Sequence, residues 1–225
     1  MSRPEIQLPQ PNKKRWQPLR AGLVDIFYYD YQEFWFRDGR LLLRGNNGTG
    51  KSKVLALTLP FLLDGRATPS RVEPDGDVQK RMEWNLLMGN RYNERTGYSW
   101  LEFGRLREDG STEIFTIGCA MKAVKGRALT TWFFTTDQRV AQDFSLLDSN
   151  KRTLSKERLK ERLGEHAVID QASRYRHAVD DKLFQLGPER YDTLVSLLIQ
   201  LRQPQLSKRP DEKALSKALT EALPP

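Results

Sequence analysis

Eight consecutive residues, Gly45-Asn46-Asn47-Gly48-Thr49-Gly50-Lys51-Ser52, match the pattern G-x-x-x-x-G-K-[ST] at every fixed position. Each fixed residue has a physical task. Glycines let the backbone wrap so that its N–H groups converge on a β-phosphate, where a Cβ would obstruct them. Lys51 supplies a mobile cation toward β- and γ-phosphates, and the Ser52 hydroxyl is placed to ligate Mg²⁺. The expected nucleotide-binding set is therefore Gly45, Asn46, Asn47, Gly48, Thr49, Gly50, Lys51, Ser52 and the adjoining Lys53, with Lys51 as the catalytic candidate and Ser52 as the metal ligand. ATP and Mg²⁺ are the expected cofactors.

A complete site of this class also needs an apolar strand that ends in Asp, usually followed by a catalytic Glu, to hold magnesium and activate water. Two segments imitate it, Phe144-Ser145-Leu146-Leu147-Asp148 and Ala167-Val168-Ile169-Asp170. Neither is followed by Glu, and they read as a turn and a strand end. No Ser-Gly-Gly signature occurs. The chain looks like half of a site.

The elements around the loop come in the order a phosphate site requires. Residues 40–44 (RLLLR) read as a strand entering the loop and 51–63 as a helix leaving it. Asp38-Gly39 between apolar runs is a strong hairpin signal, since both turn positions favour positive φ. Residues 64–96, rich in Gly, Pro, Asp and Arg, read as a surface excursion with a short helix at 82–88. Strands are expected at 97–107, 111–122 and 129–136, as an antiparallel meander turning first at Glu108-Asp109-Gly110. Helices follow at 155–163, capped by Ser155, at 179–184, at 189–201 behind Pro188, and at 211–223. Leu194, Leu197, Leu198 and Leu201 mark the core stripe of the third long helix. The fold class is α/β, a mixed sheet around the phosphate-loop helix plus the meander.

Composition narrows the setting. The chain has 225 residues, 37 Lys+Arg against 29 Asp+Glu, and a net charge of +8, which suits a polyanionic partner. Residues 1–15 read as a flexible basic arm, and Lys13, Lys14, Arg15 and Arg20 are candidate contacts to a nucleic-acid backbone. Cys119 is the one cysteine, inside a strand, so no internal disulfide or four-cysteine zinc site is available and a cytosolic setting is expected. The longest mostly apolar stretch, 54–63, is interrupted by Thr58 and Pro60 and falls well short of the roughly 20 residues of a bilayer span. His166 and His177 have no ligand-like spacing. Of the aromatic run Phe27, Tyr28, Tyr29, Tyr31, Phe34, Trp35 and Phe36, alternation places about half in a core.

A loop of the form G-x-N-G-x-G-K-S within the first fifty-odd residues, behind a hairpin and ahead of a basic excursion and a meander, resembles the amino-terminal head lobe of SMC-type ATPases. More specifically, RWQPLRAGLVDIFYYDYQEFWFRDGRLLLRGNNGTGKSKVLALTLPFLLDG, RVEPDGDVQKRMEWNLLMGN and GPERYDTLVSLLIQLRQPQLS are similar to the SMC-like, MukB-related large subunit of Wadjet-type bacterial plasmid-defence systems. The resemblance spans about residues 15–225 and makes 16–225 one head lobe. It implies a P-loop NTPase fold whose aspartate strand and signature motif lie in a carboxy-terminal lobe beyond a coiled coil. It implies ATP sandwiched between two heads, DNA as the translocated, nucleoid-associated partner, and kleisin-like and nuclease subunits. It also implies a magnesium-contacting Gln, for which Gln171 and Gln185 are candidates, and an arginine loop drawn from Arg66, Arg71, Lys80 and Arg81. The chain's end at Pro224-Pro225 fits a truncated lobe. Two rival readings are a self-sufficient small NTPase and a non-enzymatic DNA-binding module with a vestigial loop.

Overall fold

The computed structural model describes residues 7–46, 48–73 and 81–202. Its centre is a six-stranded sheet of order β2-β1-β3-β4-β5-β6, formed by β1 (Gln17–Ile26), β2 (Tyr29–Trp35), β3 (Glu94–Leu106), β4 (Thr112–Val124), β5 (Thr130–Thr136) and the two-residue β6 (Val168–Ile169). All five strand pairings are antiparallel. The meander stands where the sequence placed it, and the Asp109 carboxylate accepts the Ser111 amide at its turn. The mixed sheet does not form: among the described residues the one parallel pairing is an isolated bridge, Val140 with Phe144. For β1–β2, β3–β4 and β4–β5 the reason is the connection, because two to five residues between strands permit only antiparallel return, whereas a parallel neighbour needs a crossover of a dozen or more.

Both faces of the sheet are covered, which is why β3 and β4 are buried almost continuously instead of alternately. On one face Leu23, Leu101, Ile117, Cys119 and Phe133 pack against five helices: α1 (Lys51–Leu57), α2 (Leu59–Asp64), α4 (Met82–Leu87), α6 (Ala172–Leu183) and α7 (Pro188–Leu201). A further short helix, α3 (Pro69–Val72), adds Val72 to this core. On the other face Val24, Tyr98, Trp100, Trp132 and Phe134 are covered by the segment 140–154 and by α5 (Lys156–Leu163). The Ser155 hydroxyl caps α5 by accepting from the Arg158 amide, as expected.

Several expectations change locally. The strand at 40–44 is absent. Asp38 and Gly39 do take positive φ, but their turn closes only an Arg37–Arg40 bridge, and 41–46 have no strand partner. The long hairpin turn is instead Phe27-Tyr28, between paired Ile26 and Tyr29. The helix expected over 51–63 breaks at Thr58, whose hydroxyl donates back to the Val54 carbonyl ahead of Pro60, which has no amide to donate. α6 starts at Ala172, well before 179. In α7 the buried line is Tyr191, Val195 and Ile199 with Leu197; Leu194 and Leu198 are half-buried and Leu201 is exposed. Within the expected arm, the stretch from Pro9 to Lys13 is anchored to the fold. Pro11 is buried, the Lys13 carbonyl accepts the Leu106 amide, and the Pro9 carbonyl accepts from Arg139. The helix expected at 211–223 lies outside the described residues.

Candidate nucleotide-binding site

The loop occupies the entrance to α1. Gly45, Gly48 and Gly50 have φ of 155°, 85° and 86°, in the region where L side chains are strained. Gly50 is the N-cap of α1 and, having no side chain, leaves the amides of the first turn without a side-chain cap. A Cβ at Gly50 would come within 2.6 Å of the Tyr29 hydroxyl, so the position is closed to other residues by space as well as by φ. That hydroxyl donates to the Thr49 carbonyl at 3.1 Å, and burial pushes its pKa up, which keeps it a donor.

Lys51 reaches back across the loop and donates to the carbonyls of Gly45 and Asn46 at 2.8 and 2.7 Å. Thr49 ties the same turn, its Oγ1 donating to the Asn46 carbonyl at 2.9 Å. The ammonium therefore spans the loop from its exit to its entrance. Its three donors and flexible stem allow it to turn toward an anion without disturbing α1. Ser52 is exposed beside it on the first turn. Asn47 lies outside the described residues. These features fit a triphosphate: uncapped amides, one mobile cation, an exposed hydroxyl, and glycines where a Cβ would fill the cradle.

Lys53 is turned elsewhere. Its ammonium forms an ion pair with Glu73, which is 1% exposed and also accepts from Asn85 at 3.0 Å. This pair fastens α1 to the chain between α3 and α4, and it withdraws Lys53 from the expected phosphate set.

The two aspartates that imitate a magnesium-binding strand do not complete the site. Asp148 accepts the amides of Asn150 and Arg152 and pairs with Arg158, in a turn on the sheet face opposite α1. Asp170 follows the two-residue β6 and pairs with Lys156. Gln171 is the exposed N-cap residue of α6, and Gln185 is exposed just past its end. Arg71 is held by both Asp64 carboxylate oxygens at 2.6 and 2.7 Å, and that hydrogen bonding raises its pKa further. Arg66 and Arg81 are exposed, whereas Lys80 lies outside the described residues. Among the described residues no group of three or more His, Cys, Asp or Glu side chains is arranged to hold a metal ion.

Arg20 is not a surface cation. It is fully buried and donates to both oxygens of the buried Glu102, at 3.1 and 2.7 Å. Lys14 pairs with Glu108 on the surface. The aromatic run divides by burial: Phe27, Tyr29, Phe34 and Phe36 pack on the helical-face core, while Tyr28, Tyr31 and Trp35 are exposed. Sequence reasoning missed that Phe27 and Tyr29 support the phosphate loop. Nothing local signals it, because the hairpin turn and the loop meet only through the fold.

No protein-family model matches the chain, and no curated protein is significantly similar to it. No helix among the described residues is long and apolar enough to cross a membrane.

Proposed function

We propose that this chain is the phosphate-loop half of an SMC-like, DNA-translocating ATPase head acting in plasmid defence, in which a second lobe or head completes the nucleotide site. The observation that carries it is the 45–52 motif at the start of α1, with Lys51 reaching back to Gly45 and Asn46, while the two candidate magnesium aspartates, Asp148 and Asp170, are engaged in ion pairs elsewhere. The loop amides and Lys51 would hold the β- and γ-phosphates, and Ser52 would ligate magnesium. Bound there, the metal would offset charge on the phosphates. The acid–base groups for hydrolysis would come from the other lobe. The net charge of +8 supports DNA as the polyanion. The plasmid-defence setting and the kleisin-like and nuclease partners rest on the resemblance of the quoted segments.

The test is binding and turnover of ATP with Mg²⁺ by the chain alone. Binding without turnover is expected, and Lys51→Ala should abolish the binding. Retained affinity in Lys51→Ala would sink the site assignment. Turnover by this chain alone would favour a self-sufficient NTPase, and DNA binding indifferent to ATP would favour a vestigial loop.

A further inference from the structure

Where β3 ends and β4 begins, three cations converge on one carboxylate. Glu113, 9% exposed, accepts from Lys182 of α6 at 2.6 Å through one oxygen, and from Arg105 and Arg107 at 2.8 and 3.2 Å through the other. Both arginines use only Nε. Among the described residues the Nη groups of each have no acceptor, and the two side chains are 39% and 56% exposed. The unused fork of a guanidinium is the edge that matches an oxyanion bidentately.

The forks are positioned as well as free. Arg105 stands opposite Glu113 across the β3–β4 pairing, and its guanidinium carbon sits 4.7 Å from the centre of the Trp16 ring, which braces it. Arg107 is fixed two residues on, where its amide donates to the Ser111 carbonyl and closes the hairpin. Burial alone would push the Glu113 pKa up, but the cations hold it at about 2, so the anchor of the cluster stays ionised. Beside it lies a hollow of about 330 Å³ that both arginines, Lys14, Glu108 and Glu113 help to line. Lys14 pairs with Glu108, and Lys182 reaches Glu113 from α6. Four cations against two carboxylates leave a surplus of two positive charges, which a phosphate monoester, about −1.5 to −2 at pH 7, offsets.

This cluster is remote from the phosphate loop. The ten residues of β1, roughly 30 Å, lie between them: its Ile26 end meets the turn whose Tyr29 touches Thr49, and its Gln17 end pairs with Gly104, next to Arg105. We propose that Arg105, Arg107 and Lys182 form a second oxyanion site, which takes the phosphate group of a small phosphomonoester. The site goes beyond the nucleotide reading and does not rest on it. A phosphodiester backbone fits the cluster less well, because each diester carries one charge and a tract of them needs cations spread along a groove instead of gathered about one hollow.

The experiment titrates glycerol phosphate, and dimethyl phosphate as the matching diester, into the full 225-residue chain at constant ionic strength, following the arginine Nε–Hε resonances by NMR. Saturable shifts at Arg105 and Arg107 are expected with the monoester, and the diester should bind at least about tenfold more weakly. Arg105→Gln and Arg107→Gln should each weaken the monoester by about 10- to 150-fold, the factor that one charged hydrogen-bonding partner supplies. Arg107→Lys, which keeps the charge but lacks the fork, should still lose about tenfold. The shifts should persist in Lys51→Ala, which removes the cation of the phosphate loop. Equal affinity for monoester and diester, or full affinity in Arg107→Lys, would overturn the site in favour of diffuse positive charge. Shifts that vanish in Lys51→Ala would put the anion in the phosphate loop and overturn the site as well. A parent chain without saturable shifts would overturn it outright, and duplex DNA moving the same resonances in that case would make the arginines backbone contacts.

Discussion

Glu113 shows how a single charged residue can join distant parts of the fold. Its carboxylate accepts from Lys182 of α6 at 2.6 Å and from Arg105 and Arg107 at 2.8 and 3.2 Å. Burial alone would push its pKa up, but these three cationic donors outweigh burial and hold it at about 2. A carboxyl group lowered in the folded state stabilises the fold fully above its unfolded value of about 4.3, and that contribution is lost as pH falls toward 2. Urea midpoints measured at about pH 5 and about pH 2.5 should therefore fall further in the parent than in Glu113→Gln. Equal falls would show that Glu113 is not a source of the acid sensitivity. Glu102 joins elements on the opposite sheet face, where Arg20 and Arg139 each donate to both of its oxygens and Arg20 lies over the Trp100 ring. Buried ion pairs of this kind contribute little net stability when intact but are costly to break. For function their meaning is negative: Arg20, which counts toward a basic surface by composition, is spent inside.

Among the elements, the pairing of β1 with β3 depends on a missing side chain. Gly22 stands opposite Trp100, and a Cβ there would come within 2.3 Å of the indole ring. Gly22→Ala must displace a wholly buried tryptophan between two tightly paired strands. It should destabilise the fold by about 1–3 kcal/mol, read as a lower urea midpoint at unchanged slope. A neutral midpoint would mean that the ring moves freely. The break at Thr58 matters for the site, since it leaves α1 only seven residues long. So short a helix has little stability of its own, and its position rests on Val54 and Leu57 in the core and on the Lys53–Glu73 pair. The same dependence explains why the loop geometry was legible while its supports were not. The glycines and Lys51 declare themselves by type and spacing, whereas Glu73, Tyr29 and Phe27 are ordinary residues until the fold sets them against α1.

At the scale of the whole molecule, one antiparallel sheet separates a helical face, which bears α1, from a face covered by a long segment and α5. The amino-terminal segment belongs to this architecture through its contacts with Leu106, Arg139 and Asp38. Removing residues 1–12 should cost about 1–3 kcal/mol in urea unfolding, because buried Arg139 loses an acceptor and Pro11 its packing. A truncated chain as stable as the parent would show that the segment adds nothing. The glycine-rich turn ahead of α1, the meander with Cys119 inside one of its strands and the Ser155 cap were determined by the sequence alone, since each depends on residue type, short-range periodicity or turn chemistry. Tertiary structure decided the all-antiparallel pairing, the unpaired entry to the loop, the rotated face of α7, the burial of Arg20 and the withdrawal of Lys53. Each of these depends on which distant surfaces and charges meet, and local patterns do not encode that.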